Sequence, residues 1–253
     1  MAARLRLDQA LVARDLCESR EQAKRAIMAG VVRVNGHVAQ KSSDAVREGD
    51  AVEVLARDRF VSRGGLKLEH ALEKFAVDPT GLTAIDLGAS TGGFTDCLLQ
   101  RGAGQVFAVD VGQGQLAWKL RQDPRVMVME RLNARHLTRA HFPPSFEPVE
   151  LVVIDCSFIS LRSILPAAVP LLRSGGRLVA LIKPQFEAGK AEADRGRGVI
   201  TDPAVHQRVI AELQAFISAE TSLVWRDLTE SPIQGPAGNR EFLVLLEKPN
   251  PTH

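Results

Sequence analysis

Cysteine is scarce: Cys17, Cys97 and Cys156 are the only thiols, and they are scattered. An odd number at such spacing excludes a disulfide framework and a cysteine zinc site, and suits a reducing compartment, the cytoplasm. None of the six histidines is paired at metal-ligand spacing, so no metal is expected. No stretch approaches the ~18–20 apolar residues that span a bilayer. The first ten residues, MAARLRLDQA, carry two arginines and an aspartate, and no secretory h-region follows. A membrane role therefore has no support. What remains is an ordinary globular composition: 253 residues, 45% hydrophobic and 25% charged, enough for one large domain with a small appendage. The pattern does not fix an oligomeric state, and a monomer suits it.

Charge is shared unevenly. Residues 1–67 hold 13 Lys+Arg and 9 Asp+Glu, a net of +4, within a whole-chain charge of +2. A basic end suits an anionic partner. Leu7, Leu11 and Val12 give the apolar stripe of a short helix. Ser19 reads as an N-cap with Gln22 as its capping-box partner, opening a helix from Arg20 to Ala29 that stops at Gly30. Val31–Val34 then meets Asn35-Gly36, a hairpin turn, and Val52–Val54 forms a further strand after Gly49-Asp50. Arg20, Lys24 and Arg25 share one helix face. Arg4, Arg6, Arg33, Lys41 and, beyond them, Arg63 extend the surface. Such a cluster holds phosphates and makes binding salt-dependent, although a solvated basic face has the same look. The segment has no Tyr or Trp, so recognition of folded RNA by shape and backbone fits better than base stacking.

From about residue 82, apolar runs alternate with helical stretches. Expected strands are Thr83–Leu87, Val106–Asp110, Val126–Glu130, Leu151–Ile154, Arg177–Ile182, Leu223–Asp227 and Phe242–Leu246, with helices such as Thr95–Arg101 and Pro203–Ile217 between them. Runs such as LVVID and LVALI mark a parallel sheet covered on both faces, where ligands bind beyond the carboxyl ends of the strands. The expected fold class is α/β: a Rossmann-like, mostly parallel seven-stranded sheet with a small N-terminal α+β domain.

The first of these strands ends in Asp86-Leu87-Gly88-Ala89-Ser90-Thr91-Gly92-Gly93-Phe94. Ser90 stands where a dinucleotide fingerprint needs its second glycine. D-x-G-x-x-x-G-G-F resembles motif I of S-adenosylmethionine-dependent methyltransferases, whose glycines let the backbone approach the cofactor. Asp110, 22 residues after Gly88, is placed to accept hydrogen bonds from ribose hydroxyls. Asn133 is an adenine-edge candidate. Ser157 and Phe158 are candidates to line the cofactor or substrate pocket, with plain packing the alternative for Phe158.

Four charged residues occupy similar places. Asp155 ends LVVID, Lys183 ends LVALIK, Glu241 opens the last strand in NREFLVLLE, and Lys67 begins the helix in SRGGLKLEHAL. A lysine at the end of a buried strand needs a partner. An ion-pair network that merely stiffens the strand ends would supply one. The set resembles the K-D-K-E tetrad of ribose 2′-O-methyltransferases of the FtsJ/RrmJ type. SREQAKRAI before GVVRVNG resembles the alpha-L RNA-binding module over residues 4–56. With SRGGLKL, DLGASTGGF and IKPQFE, the chain resembles the haemolysin-A (TlyA) family over about residues 4–247. The resemblance implies S-adenosylmethionine as cofactor, ribosomal RNA and ribosomal subunits as partner, and methylation of a cytidine 2′-hydroxyl in 23S RNA, with 16S RNA a further candidate. A ribose hydroxyl needs alignment and loss of one proton, with no covalent intermediate and no metal. Lys183 is the candidate general base, with burial and the Lys67 charge favouring its neutral amine. Asp155 and Glu241 would orient the two lysines, Asp155 also touching the cofactor, and Lys67 would stabilise the developing alkoxide.

The expected domains are residues 1–56, a linker over 57–63, and residues 64–253. Residues 189–198 read either as a mobile loop closing over RNA or as a plain connection. Residues 232–239, PIQGPAGN, form a turn-rich loop that delivers Glu241. The family has shorter forms acting on the large-subunit RNA and longer forms acting on both; the few residues after the last strand lean to the shorter. Three rivals stand beside this reading. An assembly factor that binds the cofactor without turnover has little use for two strand-end lysines. A haemolysin lacks an apolar span. A small-molecule methyltransferase has no use for the basic module.

Overall fold

Residues 4–17, 19–28, 30–54, 59–189, 192 and 198–251 are described by the computed structural model, in two units, 1–59 and 60–253. In the smaller unit β1 (Arg4–Arg6) leads into α1 (Leu7–Ala13), followed by α2 (Arg20–Met28). Ser19 Oγ accepts the Gln22 N–H at 3.2 Å, which caps α2. Ala29, the expected last helical residue, lies outside the described residues. β2 (Val32–Val34) and β3 (His37–Val38) form the hairpin, with Asn35 and Gly36 at φ of 50° and 81° as a type I′ turn requires. β4 (Ala45–Arg47) pairs with β1, and β5 (Val52–Val54) with β2. The β1–β4 pair escapes the sequence reading because Arg4-Leu5-Arg6 is wholly exposed. Leu7, Leu11, Ala23, Ile27, Val32 and Val46 close a small core.

The larger unit begins earlier than the expected boundary. Phe60 is buried in its core, and the Val61 N–H donates to Asp96 Oδ2 at 2.8 Å, so residues 60–63 belong with this unit. Leu55–Asp58 lie outside the described residues. The elements follow as α3 (Gly64–Lys74), β6 (Thr83–Leu87), α4 (Gly93–Gln100), β7 (Gln105–Asp110), α5 (Trp118–Arg121), β8 (Val126–Glu130) and β9 (Val149–Ile154). After them come α6 (Leu161–Ala168), β10 (Leu172–Ile182), α7 (Pro184–Glu187), α8 (Pro203–Glu220), β11 (Val224–Glu230) and β12 (Phe242–Glu247). β10 starts well before Arg177, with a register break between Leu172 and Arg177 around Gly175 at φ 70°.

The sheet runs β11-β12-β10-β9-β6-β7-β8. The five strands from β10 to β8 are parallel, and β12 is antiparallel to both its neighbours. Alternate residues serve opposite faces. Val152 and Ile154 join Leu165 and Val209 on one side, while Leu151 and Val153 join Leu68, Leu72 and Leu98 on the other. That double burial explains the unbroken apolar runs. β6 has β9 on one side and β7 on the other, so the chain reverses its direction of travel there and a crevice opens at the carboxyl ends of these strands. Among the described residues, no helix is long and apolar enough to cross a membrane.

Candidate active site

The turn after β6 is shaped by close packing. Gly88 has φ +87°, and a Cβ there would meet the Asp155 carbonyl oxygen at 2.8 Å. A Cβ on Gly93 would run into Ser62 Oγ and come within 2.9 Å of the Gly65 nitrogen. These glycines also let protein segments meet, beside the expected approach of the cofactor to the turn. Asp86 and Gly92 stand behind the turn and line none of the three cavities described below. Asp86 is fully buried, and Thr95 Oγ1 donates to its Oδ2 at 2.6 Å. Its Oδ1 has no hydrogen-bond partner among the described residues. Burial pushes this carboxyl up to about 7, opposed by the Thr95 hydrogen bond and reinforced by the nearby Asp155 charge. Asp86 thus supports the turn from beneath, where a direct cofactor contact was expected.

Asp110 closes β7 with both oxygens turned to the backbone. Oδ2 accepts the Ser90 N–H at 2.8 Å and Oδ1 the Gly112 N–H at 2.6 Å. Beside it lies a cleft of about 590 Å³ lined by Gly88, Ser90, Asp110, Asn133, Ser157 and Phe158, among others. That volume suits a nucleoside-sized ligand. Asn133 Oδ1 accepts the Arg135 N–H at 3.0 Å, which aligns its amide and leaves the NH2 end for a ligand edge. A carboxylate and an aligned amide on the wall of one cleft are polar groups that suit the ribose hydroxyls and the base edge of an adenosyl group. Val111, 70% exposed on the cleft wall, is a lining residue that the sequence reading did not name.

The four tetrad residues come together. Lys67, Asp155, Lys183 and Glu241 line one cavity of about 280 Å³ with Ser62, Arg63 and the turn residues Ala89, Thr91, Gly93 and Phe94. Lys67 Nζ donates to Glu241 Oε2 at 2.5 Å. Lys183 Nζ lies 2.7 Å from Asp155 Oδ1 as an ion pair with poor hydrogen-bond alignment, and it donates to Ser157 Oγ at 2.9 Å. Both lysines and Glu241 are buried, so each charge relies on its partner. Parallel strands explain the convergence: Asp155 follows β9 and Lys183 follows β10 at the same end of the sheet, antiparallel β12 brings Glu241 to that end at its start, and α3 lays Lys67 beside it.

A third cavity, apolar and about 320 Å³, adjoins the tetrad and is lined by Phe158, Phe186, Pro236 and Ala237 together with Lys183 and Glu241. Phe158 is 90% exposed, held at φ 64°, with its ring 5.2 Å from that of Phe186. It does not pack in the core. Ser157 lines all three cavities and marks where they meet. Among the described residues, no group of His, Cys, Asp and Glu could hold a metal ion. Most of the expected 189–198 loop, namely 190, 191 and 193–197, lies outside the described residues.

In the smaller unit, the expected phosphate-binding surface divides into two parts. Arg6 and Arg20 pair with Asp8 at 3.1 and 2.9 Å, and Asp8 is fully buried. The Arg20 hydrogen bond, helped by Arg6, holds the Asp8 carboxyl down to about 2 against its burial. Arg4, Lys24, Arg25, Arg33 and Lys41 are exposed without such a partner among the described residues.

Residues 60–248 match the FtsJ-like methyltransferase family, and residues 5–52 match the S4 domain. The chain is 50% identical over 245 residues to the Bacillus subtilis protein YqxC, covering 96% of this chain and 86% of that one. It is 46% identical over 250 residues to the Mycobacterium tuberculosis 16S/23S rRNA (cytidine-2′-O)-methyltransferase TlyA, covering 97% and 91%. A solved hemolysin-type chain from Streptococcus thermophilus superposes with a TM-score of 0.74 at 44% identity, over 99% of this chain and 90% of that one.

Proposed function

Since the chain belongs to the FtsJ-like methyltransferase family, in its TlyA branch with an S4 domain, we propose that it methylates a cytidine 2′-hydroxyl of ribosomal RNA from S-adenosylmethionine. The observation that carries this reading is the meeting of the adenosyl-sized cleft, the tetrad cavity and the apolar slot at Ser157. When bound, the cofactor supplies a sulfonium-activated methyl group. The protein's work is then to align the ribose oxygen and take its proton.

Lys183 Nζ, neutral once its own proton has passed to solvent, takes that proton. Asp155 and Ser157 fix the amine where the hydroxyl enters, and Asp155 compensates the ammonium that forms. Lys67, held by Glu241, faces the oxygen as negative charge develops on it. The base of the target nucleotide lies in the apolar slot against Phe158, an exposed ring that otherwise has no reason to face solvent. The exposed cations of the S4 unit, Arg4, Lys24, Arg25, Arg33 and Lys41, hold rRNA phosphates. The 23S RNA is the first substrate to test and 16S RNA the second.

The test is transfer of tritiated methyl from S-adenosylmethionine to unmethylated ribosomal subunits, with Lys183→Ala alongside. Label with the wild type and none with the variant supports reaction and base together. Label with both removes Lys183 from its role. Cofactor binding without label on either subunit refutes the reaction.

A further inference from the structure

Glu241 is delivered by a turn rather than by a long element, and that turn is secured by one buried side chain. Asn239 is 1% exposed. Its Oδ1 accepts the Ile200 N–H at 2.9 Å, and its Nδ2 donates to the Gly198 carbonyl at 2.8 Å. Its own backbone carbonyl accepts the Gly235 N–H at 2.9 Å. One residue thus ties the 198–200 backbone to the 235–239 turn, two positions before the tetrad glutamate. The Ile200 carbonyl is bonded in turn by His206 Nε2 at 2.9 Å, and the His206 ring packs on Phe242, the residue after Glu241. Both ends of the clamp return to the same strand start.

The turn also touches the carboxylate itself. A Cβ on Gly235 would come within 2.5 Å of Glu241 Oε1. Gly198, Gly235, Asn239 and Glu241 all line the apolar slot, so the clamped pieces form one wall of it. A buried amide bonded at both ends is well satisfied, whereas its loss strands an N–H and a carbonyl without partners.

We propose that Asn239 is a positioning residue for Glu241, locking residues 198–200 and 235–239 into a wall that sets how Glu241 meets Lys67. This rests on the methyl-transfer reading above, and its test separates the two. Methylation of unmethylated ribosomal subunits is measured for the wild type, Asn239→Ala, Asn239→Asp and Gly235→Ala, with the cofactor Kd and Tm of each. A misplaced tetrad costs about 10- to 100-fold, so Asn239→Ala lowers kcat by that factor. Its cofactor Kd stays within about twofold, because the cofactor cleft shares no residue with this wall. Asn239→Asp keeps the acceptor for Ile200 but not the donor for Gly198, and falls between. Gly235→Ala lowers kcat at unchanged Tm, since the flexible carboxylate gives way before the backbone does. If Asn239→Ala fails to fold, the other two variants decide by the same readouts. Unchanged kcat in the variants of an active wild type overturns the clamp alone, as does kcat falling only in step with Tm and cofactor affinity. An inactive wild type overturns the reaction itself.

Discussion

Lys183 is held by two short-range partners, and they contribute unequally to its aim. The Asp155 ion pair is close but poorly aligned, while the Ser157 hydroxyl makes the directional contact. A hydrogen bond to the neutral amine contributes about 0.5–1.5 kcal/mol, so Ser157→Ala should lower kcat by about two- to tenfold, with a smaller change in RNA affinity. Single-turnover methylation against RNA-binding measurements checks this. Asp86 offers a second test, through stability. Its folded-state carboxyl titrates above the unfolded one, so its contribution is intact below about 4 and is lost as pH rises through about 7. Asp86→Asn removes that burden. Tm of the variant should exceed that of the wild type at pH 8, by an amount that shrinks towards pH 4; an equal gain at both pH values contradicts the assignment. In the S4 unit the cations also separate by role. Lys24→Ala should weaken RNA binding and reduce the salt slope by about 1 with no change in Tm. Arg20→Ala should also destabilise the unit, because Asp8 is left buried with Arg6 alone.

Among the elements, the entry to the larger unit is tightly fitted. Gly65 lies in the first turn of α3, where a Cβ would come 2.2 Å from the Phe60 ring, and that ring is buried. Overpacking of this kind costs about 1–3 kcal/mol. Gly65→Ala should therefore lower Tm by several degrees, whereas Gly49→Ala, with open space around it, should stay within about 0.5 kcal/mol of the wild type. Thermal melting of the two variants decides. The parallel strands were legible in the sequence because burial on both faces writes them as unbroken apolar runs, and LVVID and LVALIK also gave away the charged residues that end them. The β1–β4 pair and the true start of the larger unit at Phe60 were not. Both depend on partners distant in the chain, Arg47 opposite Arg4 and Asp96 for Val61, which local patterning does not show. Asn239 was hidden for the same reason: PIQGPAGN reads as a turn, and only the fold brings Gly198 and Ile200 to it.

At the scale of the whole molecule, two units divide the task. One presents exposed cations on a small core, five of them without an ion-pair partner among the described residues, and the other gathers a nucleoside-sized cleft, four charged residues and an apolar slot at the carboxyl end of one sheet. The motifs foretold which residues would gather. They did not foretell that Asp86 would be sealed beneath the turn, that Ser157 would hold Lys183, or that Phe158 would stand bare. The central claim is that the reacting atom is a ribose oxygen of cytidine. Its most direct measurement is nucleoside analysis of ribosomal RNA labelled by the wild-type protein and digested to completion. All label should elute as 2′-O-methylcytidine from one position in an RNA; label in a base-methylated nucleoside, or in any nucleoside other than cytidine, would contradict the account.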